Sequence, residues 1–271
     1  MNRPAPEYVL ARTVLLDALE VLEPHRASLV LVGAQAIYLH AGSADFAVAP
    51  MTTDADLVLR VSSLAVTPEI AGLMTGHGFR PADQPGTWLG QAGVAIDLMV
   101  APHESGRSAG ARSASIPEHA DGIARIAHGM EPALIDHGPH AISALDPADQ
   151  RMFTVSVAGP AALLVSKLIK LRERLADADR YPRRVQPKDA LDVMRLLRLD
   201  PGTLSRGFEL HQADGHSKSA SDEALEFLRT DAKARRPRLA RLASDAVGED
   251  AVIEAQFTAL ALELLANISR T

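Results

Sequence analysis

Thr52-Thr53-Asp54-Ala55-Asp56-Leu57-Val58-Leu59-Arg60-Val61 joins two hydroxyls and two carboxylates to an apolar run. Asp56–Val61 is rich in Leu and Val and reads as a β-strand. Residues i and i+2 of an extended chain point to the same side, so Asp54 and Asp56 project together at the strand's beginning. Two carboxylates that close repel each other, and a bound cation relieves the repulsion. The donors are hard oxygens with no Cys or His among them, which matches Mg²⁺ or Mn²⁺. Alone, an Asp-x-Asp pair is also what a solvated loop carries, so its neighbours decide the reading.

Val94-Ala95-Ile96-Asp97-Leu98-Met99-Val100 is a second apolar strand with an acid in its interior. Such an Asp is unfavourable there unless it is paired, metal-bound or turned to water. Beside the first strand, Asp97 would complete a three-carboxylate site able to hold two metal ions roughly 3.5–4 Å apart for in-line phosphoryl transfer. Upstream, the buried-strand run Leu29-Val30-Leu31-Val32 enters Gly33-Ala34-Gln35-Ala36-Ile37, which opens a short helix to His40. Backbone N–H groups at such a junction can hold phosphate, and Gly33 lets a ligand approach. A helical stripe covers 7–24 and ends at Pro24, residues 41–51 read as a loop, and a short helix spans 68–77. A hairpin surrounds Gln84-Pro85-Gly86, residues 102–122 read as a loop, and 128–148 hold edge strands.

The composition changes near Val157, and helices follow. Residues 1–155 are expected to form an α/β domain and 156–271 a helical domain. Pro160–Leu175 carries Lys167, Lys170 and Arg174 on one face, at i, i+3 and i+7. After a polar loop, Lys188–Leu199 carries Asp189, Asp192 and Arg195 opposite a core stripe. Lys167 can supply a cation to a triphosphate, and Asp189 can orient it or receive a proton. Solvent-facing ion pairs on two amphipathic helices would have the same pattern. Further helical stripes cover 204–210, 220–229, 234–246 and 250–267.

The 271 residues carry a net charge of −6, which counts against an extensive phosphate-binding surface. Local basic runs exist nonetheless: Arg180-Tyr181-Pro182-Arg183-Arg184, and Lys233 to Arg241 with Arg235 and Arg236. Tyr181 could stack a base there, and Arg183, Arg184, Arg235 and Arg236 could hold RNA, although solvated helix faces look alike. The absence of cysteine removes disulfides, thiolate metal sites and Cys nucleophiles. With no signal-like segment and no run near the roughly 20 apolar residues of a membrane span, a soluble cytoplasmic protein is expected.

In this order, Val32-Gly33-Ala34-Gln35-Ala36, Thr52–Leu57, Ala95–Leu98, Lys167–Leu171 and Lys188–Asp192 resemble the polymerase-β-like nucleotidyltransferase superfamily. More narrowly they resemble the AbiEii-type toxins, including the mycobacterial MenT-like toxins that modify tRNA. The resemblance implies an α+β fold, a small mixed sheet with helices followed by a helical C-terminal part. It implies Asp54 and Asp56 as metal ligands, Asp97 as the third acid, and Lys167 and Asp189 as the later catalytic pair. Gly33, Ala34, Thr52, Lys167 and Lys170 would serve the nucleotide. The family's Gly-Gly or Gly-Ser is Gly33-Ala34 here, and Thr52 stands where a serine is common. The implied activity is NMP transfer from an NTP to the 3′ end of tRNA by a toxin with a cognate antitoxin. A same-fold enzyme acting on a small molecule or protein hydroxyl, or a non-catalytic binding protein, are the alternatives.

Overall fold

The computed structural model describes residues 4–42, 51–108 and 110–268. The loop expected over 41–51 lies largely outside the described residues, from 43 to 50. The chain opens with α1 (Pro6–Val21), β1 (Leu29–Val32), α2 (Gly33–Ala41), β2 (Asp54–Leu59) and α3 (Ile70–Gly76). Five strands and a sixth follow: β3 (Arg80–Pro81), β4 (Thr87–Leu89), β5 (Ala95–Val100), β6 (Arg125–Ile126), β7 (His137–Ser143) and β8 (Met152–Ala158). The rest is helical: α4 (Pro160–Ala176), α5 (Pro187–Leu197), α6 (Pro201–His211), α7 (Gly215–Ala232), α8 (Arg238–Asp245) and α9 (Ala251–Ile268).

The strands form one mixed sheet in the order β3-β4-β5-β2-β1-β8-β7, with β6 pairing to β5 off that path. β2 lies antiparallel to β1 and parallel to β5, so the two acid-bearing strands are neighbours. Their alternate residues Leu57, Leu59, Ile96 and Leu98, with Leu29 and Leu31 of β1, are wholly inaccessible. At about 25 cal/mol per Å² of apolar surface removed from water, this packing makes the central strands the firmest part of the sheet. The fold is thus α+β, a small mixed sheet with helices and a helical C-terminal part, as expected.

Several boundaries differ from the sequence reading. β2 begins at Asp54, so both acids belong to the strand, and it ends before Arg60. β8 crosses residue 155, and its pairing with β7 places a sheet edge where the composition turns helical. The buried apolar residues run as one cluster from Tyr8 to Leu265, across both halves of the chain. α7 starts at Gly215, earlier than its apolar stripe, because the Asp214 side chain accepts a hydrogen bond from the Ser217 N–H. α9 also departs from expectation. It is long and apolar enough to cross a membrane, with mean hydropathy 1.4, and 22% of it is buried. Glu254 and Glu263 break its apolar run in the sequence, while Phe257, Ala261, Leu264 and Leu265 pack inward.

α4 is anchored at its N-terminus by a side chain from far upstream. Gly159 and Gly207 lack the Cβ atoms that would meet the Asp136 carboxylate at 2.0 and 3.0 Å. Asp136 can therefore accept a hydrogen bond from the Ala162 N–H at 3.1 Å, where an anion complements the helix dipole. His211 of α6 lies 3.2 Å from Asp136 through Nε2 and 2.8 Å from Ser221 Oγ of α7 through Nδ1. His211 and Ser221 are fully buried, so this Asp-His-Ser chain ties three helices together and offers no entry to a substrate.

Candidate active site

One row across the sheet carries the acids. In register, Thr87 of β4 faces Asp97 of β5, Asp97 faces Asp56 of β2, and Asp56 faces Val32 of β1. Asp54 lies two residues before Asp56 on the same side of the strand. Thr52 donates its hydroxyl to Asp54 Oδ1 at 2.6 Å, which fixes that carboxylate's rotamer. The Asp97 oxygens are each engaged, Oδ1 by the Thr87 hydroxyl at 2.7 Å and Oδ2 by the Arg125 guanidinium at 3.1 Å. Among the described residues no three acidic or imidazole groups converge as a ready metal cage. Asp97 is level with Asp56 in register and has both oxygens engaged, while Asp54 is engaged by Thr52 through Oδ1.

Gly33 sits against this pair. Its φ is +70°, and a Cβ there would lie 2.0 Å from Asp56 Oδ2. Only a glycine admits both the backbone angle and the carboxylate. Ala34 follows in the first turn of α2 and is buried. Burial, then the neighbouring Asp54, pushes the Asp56 carboxyl up to about 6, with Lys170 acting in the opposite direction. A carboxylate that resists ionisation beside another carboxylate is a group that gains from a cation.

α4 and α5 supply the positive side. Lys167 is buried, and its Nζ donates to Asp189 Oδ1 at 2.8 Å and to Asp192 Oδ2 at 2.9 Å. Burial alone would lower its pKa, but Asp192 and Asp189 outweigh burial and hold it well above the ordinary lysine range. Asp189 also accepts from Lys170 at 3.3 Å and Arg174 at 2.5 Å. Burial disfavours its charge, yet Lys167 and Lys170 hold the carboxyl well below the usual range. Asp189 is therefore ionised at neutral pH and suited to orienting cations rather than taking up a proton. Asp192 in turn accepts from Arg195 Nη1 at 2.7 Å. Lys170 differs from Lys167 in being 42% exposed, and burial followed by Lys167 lowers its pKa. The structure thus places Lys170 where it influences Asp56, and Lys167 inside the ion-pair hub.

Three contributors were not among the expected site residues, although Gln35 lies in the Val32–Ala36 stretch that carries the resemblance. Gln35 of α2 donates to the Asp54 carbonyl at 3.1 Å and the Ala11 carbonyl at 3.2 Å, and accepts from Arg12 at 2.8 Å. Tyr38 donates its hydroxyl to the Met51 carbonyl at 3.0 Å, just before Thr52. Arg125 comes from the two-residue strand β6. A helix-heptad or strand-alternation pattern cannot report contacts made across such separations. The RNA-binding candidates lie elsewhere: Arg183 and Arg184 are exposed in a 3₁₀ turn, and Arg235 and Arg236 are exposed between α7 and α8.

The mixed sheet thus bears a carboxylate pair beside a glycine turn, and α4 carries the cation, Lys170, that acts on it. The family model described as Nucleotidyltransferase matches residues 12–206, and the chain belongs to this family. It is a transferase of the kind that moves nucleoside monophosphate from an NTP, a reaction that generally uses a divalent metal. No curated protein and no solved structure matches the chain.

Proposed function

We propose that this nucleotidyltransferase adds NMP to the 3′ end of tRNA as the toxin of a toxin–antitoxin pair, working with Mg²⁺ or Mn²⁺. The observation that carries the catalytic part is the pair Asp54 and Asp56 on one side of β2, with the partly exposed Lys170 close enough to act on the Asp56 charge. The donor set fits a hard divalent ion: two carboxylates from one strand, with the Asp56 charge disfavoured until a cation arrives. A bound ion supplies Lewis-acid polarisation of the α-phosphate and neutralises the leaving pyrophosphate.

The remaining roles belong to side chains. Thr52 keeps Asp54 in place, Gly33 lets the Asp56 carboxylate lie against the start of α2, and the backbone N–H groups of Gly33 and Ala34 in that first turn serve the phosphates. Lys170 offers its ammonium to the triphosphate, and Lys167 acts through the hub by fixing Asp189, which orients Lys170 and Arg174. Asp97, held by Thr87 and Arg125, stands level with Asp56 on the neighbouring strand as the third acid. The motif order that resembles AbiEii-type toxins supports the tRNA acceptor and an antitoxin partner. The net charge of −6 favours a second reading, transfer to a small-molecule or protein hydroxyl.

Incubation with each labelled NTP and Mg²⁺, in the presence of tRNA or a protein lysate, followed by sequencing of tRNA 3′ ends, separates these readings. Extension of tRNA by wild type and not by Asp54→Ala is expected. Label found only on protein refutes the tRNA acceptor. Growth arrest by both wild type and Asp54→Ala refutes catalysis as the cause of toxicity and leaves a binding protein that keeps the fold.

A further inference from the structure

Two arginine-bearing runs, far apart in the chain, meet at one surface. A cleft of about 310 Å³ is lined by Leu175, Pro182, Val185 and Leu242 together with Arg238 and Arg241. Tyr181, adjoining it in the chain, is 42% exposed, and the guanidiniums of Arg180 and Arg184 lie over its ring at 5.1 and 5.9 Å. Among the described residues, of the guanidiniums of Arg180, Arg183, Arg184, Arg238 and Arg241 only that of Arg184 has a carboxylate within 4.0 Å, Asp177 at 3.7 Å, while the Arg238 backbone N–H donates to Asp231 Oδ1 at 2.9 Å. Five arginines set against Asp177 and Asp231 leave a local surplus of positive charge in a chain of net charge −6. α4 carries both Lys170, whose charge acts on Asp56, and Leu175, which lines the cleft, about 8 Å apart along its axis.

We infer that this cleft binds the single-stranded tail of an RNA acceptor behind its reacting end, with Arg238 and Arg241 on backbone phosphates and Tyr181 stacked on a base. The inference rests on the reading of the acceptor as RNA and adds where and in what form it is held. Apolar lining beside arginines and an exposed aromatic ring match the alternation of base faces and phosphates in a single strand. A duplex hides its base faces, and an acidic protein segment does not present a stacking face beside every charge as a single strand does.

The test is fluorescence anisotropy of a labelled single-stranded RNA with the full chain in Mg²⁺, without NTP, across a salt series. Single-strand binding loses about 0.7 in log–log slope per neutralised phosphate. The double variant Arg238→Gln/Arg241→Gln should therefore bind more weakly and shallow the slope by about 1.4. Tyr181→Ala should weaken binding about tenfold with the slope unchanged, and Tyr181→Phe should restore it. All these side chains are exposed, and an unaltered melting temperature checks that the variants fold. Wild-type affinity and slope in the double variant overturn the inference, as does poly-glutamate competing as well as the RNA, which marks a protein-binding surface. RNA bound as expected but never extended by any NTP refutes the proposed activity and spares the cleft. RNA extended with an unchanged KM in the double variant refutes the cleft and spares the activity.

Discussion

Replacing Gly33 with alanine probes the approach of α2 to the Asp56 carboxylate. Alanine at φ +70° carries a backbone cost of about 1–2 kcal/mol. Its Cβ would also lie 2.0 Å from Asp56 Oδ2 and 2.8 Å from Cγ. Asp56 is a short side chain on a rigid central strand, so it relieves the overlap by rotating about its own bond. The sheet stays, and the carboxylate leaves its place beside Asp54. For a chain of this size, 1 kcal/mol corresponds to about 2–4 °C in melting temperature, so a fall of roughly 2–8 °C is expected. A misplacement near 1 Å at a reacting centre costs about 100-fold, and kcat/KM should drop by that order. Gly42→Ala is the control, with φ +66° and nothing within 4 Å of its Cβ among the described residues. It should lose stability but keep activity. Calorimetry, Mn²⁺ titration followed by electron paramagnetic resonance, and pyrophosphate release give the three readouts. If Gly33→Ala loses stability like Gly42→Ala yet binds Mn²⁺ and turns over like wild type, the contact with Asp56 has no functional weight.

The raised Asp56 pKa, about 6 against 3.8, sets a pH dependence. The metal-free fold holds this proton more tightly than the unfolded chain, so its stability should fall as pH rises from 3.8 through 6, and level off above. Mn²⁺ affinity should fall as pH drops below about 6, and Asp54→Asn should move that midpoint down by removing a like charge. A midpoint unmoved in Asp54→Asn contradicts the cause given. Lys167→Met leaves Asp189 and Asp192 short of a buried cation and should cost about 3–5 kcal/mol in urea unfolding. Lys170→Met, at a partly exposed site, should cost less than about 1 kcal/mol while lowering kcat/KM; the reverse ranking refutes the division between them. Arg125→Gln frees Asp97 Oδ2 and should tighten a second Mn²⁺. Unchanged Mn²⁺ stoichiometry and affinity in that variant show that Arg125 does not hold Asp97 out of coordination.

What was legible in the sequence was local. Alternation marked β2 and β5, i to i+2 geometry put Asp54 and Asp56 on one side, and helical spacing grouped Lys167, Lys170 and Arg174. The hairpin expected around Gln84-Pro85-Gly86 is the antiparallel pair β3 and β4, whereas β6, at two residues, is too short to show a period. β7 falls within 128–148, where edge strands were expected, and its Gly138 and Pro139 are residues that a strand tolerates at a sheet edge.

The sequence by itself determined the residue types of the site and the elements that carry them, because chirality and side-chain spacing act over a few residues. Tertiary structure alone decided their division of labour. The parallel pairing of β2 with β5 put Asp97 level with Asp56, and Thr87 and Arg125 then occupied its oxygens. The packing of α5 on α4 buried Lys167 between two aspartates and left Lys170, one turn away, partly in solvent. Charge and burial are set by neighbours distant in the chain, and no pattern along the backbone records how much water each group keeps.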